Sequence, residues 1–220
     1  MKQKLTPRWI IIKLTGILCA AYAAFIIFLI VRDRSMLLGK EIAIYAIVAL
    51  LFALLAGFAW TSEFKNKRFL IVRRIVFIID LLAIFLLKLR LVRKVVICID
   101  FSYFPSVLYV GSYFLTLGGL LVLIVYFAFI LKDLPKHIIA SVVLPILAIV
   151  LFLGGFVMEM ILFYKYNICL EGNALRTLTS RPAFYLSFIG LSVYFLFPPQ
   201  MPDLTDDMRI SKADDRDFVL

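Results

Sequence analysis

Lys13, Asp80 and Glu159 are charged side chains set into apolar runs, and they are the residues with chemistry to offer. A charge at membrane depth costs about 2.5 to 3.5 kcal/mol on insertion scales, so it is retained where it pairs with an opposite charge, holds an ion or relays a proton. Asp80 leads. It interrupts the stretch FLIVRRIVFIIDLLAIFLLKLRLVRK (69–94), which is bracketed by Arg73, Arg74, Lys88, Arg90, Arg93 and Lys94. Lys13 precedes Gly16 by three residues, on the same helical face. Counted from the ends of their runs, Lys13 and Asp80 stand at similar depths, which predicts an ion pair across the first and third helices, with Arg73 as the next candidate partner. Such a pair reads first as an assembly lock and second as a proton or cation relay. Glu159 falls on one face with Ser141, Pro145, Ala148 and Gly155, which points it inward, while its nearness to the helix end leaves interfacial solvation as the alternative to a functional role.

Other chemistry is hard to place. The chain has no HExxH, GxGD or DGxxAR pattern and no P-loop, and His137 is its only histidine. Cys19, Cys98 and Cys169 have no metal-ligand spacing. The expectation is therefore no enzyme, no cofactor and no metal site, with His137 an interfacial residue at a loop edge.

The elements that must position these charges follow from composition. Apolar residues make up 64% of the chain and its mean hydropathy is +1.05, so its surface suits lipid. Long unbroken apolar runs exclude the alternating pattern of a membrane barrel, leaving an all-α polytopic membrane protein. The net charge of +10 sits in short loops beside apolar runs, where it anchors to anionic headgroups; nucleic acid is not an expected partner. Six transmembrane helices are expected at about 9–31, 42–60, 70–91, 107–131, 138–162 and 183–197, followed by a mobile acidic tail at 200–220. The first run is too long for the apolar region of a cleavable signal peptide. Residues 95–106 read as an interfacial connection because Pro105 disfavours helix around it, and Pro145 is expected to kink the fifth helix. The loop YNICLEGNALRTLTSRP (166–182) is polar enough to be aqueous.

Gly16, Ala20 and Ala24 repeat every four residues, and Ala46, Ala49, Ala53 and Ala56 with Gly57 recur at spacings of three and four, which predicts a hairpin of the first two helices with their small faces together. Lys2, Lys4 and Arg8 before the first run point to a cytoplasmic N-terminus in the cell membrane. If 69–94 dipped in and returned, five spans would remain and the loop charges would be more asymmetric, but its length favours a crossing. The order WTSEF, FIIDLLAI, LRLVR locally resembles the second to fourth helices of voltage-sensor domains, through Glu63, Asp80, Arg90 and Arg93. Only Arg90 and Arg93 keep the spacing of three, and no room exists for a separate fourth helix, so no family follows. Exclusion leaves a non-catalytic accessory, sensory or immunity-type component acting through the bilayer and a membrane-protein partner or a second copy. The alternative is a small secondary transporter or ion pathway using Asp80, Lys13 and Glu159.

Overall fold

The computed structural model describes residues 7–33, 38–61, 67–96, 104–131, 142–166, 178–179 and 181–196. Within them lie six helices: α1 (Pro7–Arg32), α2 (Gly39–Trp60), α3 (Lys67–Val96), α4 (Phe104–Leu131), α5 (Leu144–Tyr166) and α6 (Pro182–Leu196). By length and composition α1, α2, α4 and α5 are long and apolar enough to cross a membrane. The fifteen residues of α6 span only about 22 Å, less than a hydrocarbon core of about 30 Å.

Proline sets several helix starts. Pro7 and Pro182 open α1 and α6, and Pro105 and Pro145 are the second residues of α4 and α5. In a first turn the missing N–H has no intrahelical partner to lose. This corrects one expectation: Pro105 lies inside α4, which starts at Phe104, whereas at Pro145 a π-helical turn over residues 142–143 runs directly into α5. Residues 95 and 96 likewise complete α3, which is one continuous helix longer than the span expected at 70–91. The loop containing His137, the residues Cys98, Asp100 and Cys169, Ser141 and the tail at 200–220 lie outside the described residues.

Each helix packs on its neighbours in sequence, and α6 closes the ring against α1. Successive helices are antiparallel. In α1 and α2 the position of Gly16 meets Ala59; in α4 and α5 Gly111 meets Met158 and Gly119 meets Phe152; in α5 and α6 Gly155 meets Tyr185. Lys88 near the end of α3 reaches Tyr113 near the start of α4, while Phe77 reaches Phe127, so α3 runs the length of α4 without turning back. The α6 backbone lies against α5 and α1, where Gly190 leaves space for Thr15. Its aromatic side chains cross the interior: Phe184 and Phe188 to Phe52 of α2, Phe195 to Phe77 of α3 and Phe127 of α4.

The polarity is inverted relative to a water-soluble fold. Leu14, Ile17, Phe28, Leu50, Ile79, Leu86, Phe114 and Val150 are exposed, whereas Asp80, Lys88, Glu159, Thr116 and Ser187 are buried. Buried hydroxyls return their protons to the helix backbone, Thr15 to Ile11 O at 2.8 Å, Ser187 to Ala183 O at 2.7 Å and Ser192 to Phe188 O at 2.8 Å. This satisfies polar side chains where water is excluded.

The expected small-residue hairpin forms only in part. Gly16, Ala49 and Ala56 are buried, but Ala20, Ala24, Ala46, Ala53 and Gly57 face outward, and a Cβ on Gly57 would meet nothing within 4 Å. A spacing of four drifts by about 40° per step around an α-helix, so such a stripe leaves the seam within two steps. Among the buried residues of α1, Ile12, Gly16, Cys19, Ala23 and Ile26 instead alternate spacings of four and three, flanked by Thr15, Tyr22 and Leu29.

Candidate functional site

The inward face of α3 is Phe77, Asp80, Leu81, Ile84 and Lys88, spaced as one stripe of an α-helix. Asp80 is 2% exposed and Lys88 is fully buried. At about 1.5 Å per residue Lys88 lies about 12 Å further along the axis than Asp80. Lys88 was expected to mark the end of a span and reach toward headgroups. Its register prevents that: it shares the face of Asp80, so its ammonium enters the bundle and sits 4.3 Å from the ring centroid of Tyr113 and 5.3 Å from that of Phe184. A cation over aromatic faces is stabilised by their quadrupoles, the more so when desolvated.

Glu159 occupies the same level from the opposite side of α4 and α6. It is 2% exposed, and Ser112 Oγ donates to Glu159 Oε1 at 2.8 Å. Ser112 also lies 2.9 Å from the Tyr109 carbonyl, so one hydroxyl proton has two acceptors. Thr116 Oγ1 donates to Ser112 O at 2.7 Å and lies 3.2 Å from the Tyr185 hydroxyl, while the hydroxyls of Tyr109 and Tyr113 are 3.1 Å apart. Gly155 makes the approach possible: a Cβ there would stand 3.0 Å from Thr116 Oγ1 and 3.2 Å from Ser112 O. Tyr113 and Phe184 thus face Lys88, while their chain neighbours Ser112 and Tyr185 face Glu159.

Asp80 has a different setting. Neither of its carboxylate oxygens has a hydrogen-bond partner. One turn earlier, Phe77 joins a packed aromatic layer, 4.1 Å from Phe58 and 4.5 Å from Phe127 between ring centroids. Phe127 in turn lies 4.8 Å from Phe195. Asp80 therefore stands between an aromatic layer and the level of Lys88 and Glu159.

The structure does not bring Lys13 to Asp80. The Lys13 ammonium donates to the Trp60 carbonyl at 3.1 Å and lies 5.1 Å and 5.9 Å from the rings of Trp60 and Trp9. The depth argument started the third helix too late: α3 begins at Lys67, so Asp80 is about 20 Å along it, whereas Lys13 is about 9 Å into α1. The side chain of Arg73, the other candidate partner, is not among those described. The missed residue is Lys88, and its signal was its distance of eight residues from Asp80, which returns it to the same face.

These features define a class, an all-helical protein with helices fit for a membrane and ionisable residues in its interior. No family model matches the chain, and no curated protein or solved structure matches it.

Proposed function

We propose that the charged interior is the working element and that the chain is a six-span protein of the cell membrane, both termini cytoplasmic, providing a pathway for a proton or small cation. The observation that carries this reading is Asp80, buried with both oxygens lacking a hydrogen-bond partner. An assembly lock needs a partner, and burying an unserved polar group costs roughly 1 to 3 kcal/mol. Retaining an ionisable side chain at that cost is the mark of intramembrane ion and proton sites. Lys88 and Glu159 supply further charges at the next level of the same interior, and the hydroxyls of Ser112, Thr116, Tyr109, Tyr113 and Tyr185 connect them to the helices around. The aromatic layer of Phe58, Phe77, Phe127 and Phe195 is the barrier such a pathway must open. Six antiparallel helices place both ends of the chain on one side, and Lys2, Lys4 and Arg8 favour the cytoplasm for it. The chain acts without enzymatic turnover.

Purified protein in liposomes, loaded with a pH-sensitive dye and polarised with valinomycin, tests the reading. Proton or cation flux above that of empty liposomes is expected, with loss of flux in Asp80→Asn. Equal flux in Asp80→Asn and wild type rejects Asp80 as the working group.

A second reading has its own observation. Ala20 and Ala24 on α1 and Ala53 and Gly57 on α2 face outward, where small residues let another helix approach closely. This supports an accessory, sensory or immunity-type component that contacts a membrane-protein partner or a second copy. Disulfide trapping of Ala24→Cys or Gly57→Cys in native membranes tests it, with a discrete crosslinked species as the expected result.

A further inference from the structure

An open groove of about 360 Å³ lies between α1 and the start of α6, lined by Leu18, Ala21, Tyr22, Phe25, Arg181 and Ala183 among others. Its α1 wall lies roughly 10 to 20 Å below the Arg32 end of that helix, at about 1.5 Å per residue. The helix pairing fixes this level independently, because Tyr22 donates to the carbonyl of Leu178 while Arg8 at the other end of α1 bonds Tyr194 at 3.0 Å. In a hydrocarbon core of about 30 Å the groove is therefore beneath the headgroups. Arg181 is nevertheless exposed there.

An exposed guanidinium at that depth must be met by an anion or by water drawn into the bilayer. Among the described residues no salt bridge joins a carboxylate to Arg181. The rest of the groove is apolar and suits a hydrocarbon chain.

We infer that this groove seats an anionic phospholipid, its phosphate on Arg181 and an acyl chain along Leu18, Ala21 and Phe25. Arginine receives phosphate oxygens through paired N–H donors, and the short α6, starting beneath the surface, makes room for a headgroup drawn inward. This inference stands apart from the interior charges and from any ion pathway.

The test uses full-length protein in mixed micelles holding equimolar phosphatidylglycerol and phosphatidylcholine, with lipid retained after washing measured by native mass spectrometry. Wild type is expected to retain phosphatidylglycerol about fivefold over phosphatidylcholine, the preference expected of one interfacial arginine. Arg181→Gln is expected to fall to parity and Arg181→Lys to keep most of the preference. Ala21→Trp, which fills the groove and leaves the charge, is expected to lose retention of both lipids. Parity in wild type, an unchanged preference in Arg181→Gln, or full retention in Ala21→Trp overturns the inference. Complete displacement of the lipid by inorganic phosphate at equal concentration overturns it too, because the chain contacts would then contribute nothing. If Arg181→Gln does not fold, Ala21→Trp and Arg181→Lys decide the matter alone.

Discussion

Glu159 and Asp80 are equally buried carboxylates on two helices of one ring, yet the protein treats them oppositely. Glu159 receives a hydroxyl from Ser112, and Gly155, one turn earlier on the same helix, is small where Thr116, Ser112 and Tyr185 come close. Asp80 receives no hydrogen bond and has an aromatic layer one turn away. Burial alone therefore says little about what a charge is for. A group served by donors has already recovered much of its desolvation cost and belongs to the architecture, whereas an unserved group carries that cost until something else arrives to meet it.

Substitutions on the two sides of this comparison should differ in sign as well as size. The largest effect is expected at Gly155→Leu, where the new side chain meets Thr116, Ser112 and Tyr185; overpacking of about 3 kcal/mol should appear as a lost or sharply lowered thermal midpoint in detergent. Glu159→Ala should cost about 2 kcal/mol, since it removes the acceptor of Ser112 and leaves space behind. Ser112→Ala should cost about 1 kcal/mol by withdrawing the donor from Glu159. Asp80→Leu should leave the midpoint unchanged or raise it by the equivalent of about 1 kcal/mol, because no hydrogen bond is lost and a polar burial cost is removed. A fall of several degrees in Asp80→Leu would mean that Asp80 is served after all, and the contrast with Glu159 would collapse. The smallest effect concerns Lys13: Lys13→Met and Asp80→Leu should be additive within about 0.5 kcal/mol in a double-mutant cycle, since Lys13 is held by Trp60. A coupling above that range would restore the ion pair.

Much of the architecture was legible in the residues themselves. Uninterrupted apolar runs require helices, because hydrocarbon supplies no partner for backbone groups, and six helices were readable from run lengths alone. The face of Glu159 can be followed in the sequence from Pro145 through Ala148 and Gly155, and Glu159 is buried on it. Lys88 was misjudged because a cation near the end of an apolar run was read by its position along the chain and not by its angle around the helix. The pairing of Lys13 with Asp80 failed for a related reason: depth was counted from the edge of an apolar run, whereas α3 continues through Arg73 and Arg74 back to Lys67. The packing face of α1 was missed in part because Ala20 and Ala24 match a pattern of four, while the helix repeats every 3.6 residues. Nothing in the local sequence marks which donors reach Glu159, since Ser112 is 47 positions away and meets it only through the antiparallel register of α4 and α5.

The position of α6 bears on how the protein is made. Phe52, Phe77, Phe127 and Phe152, each from a different helix, all complete their packing on α6 side chains. These helices precede α6 in the chain, so a five-helix stage during synthesis would have an unfilled centre that includes Asp80, Lys88 and Glu159. For that interval the buried charges are open to water or to a chaperone, and commitment to the native state waits for the residues from Pro182 onward. Arrest of the ribosome before that point should leave a membrane-inserted but protease-sensitive chain, with the step to resistance coming abruptly as α6 is released.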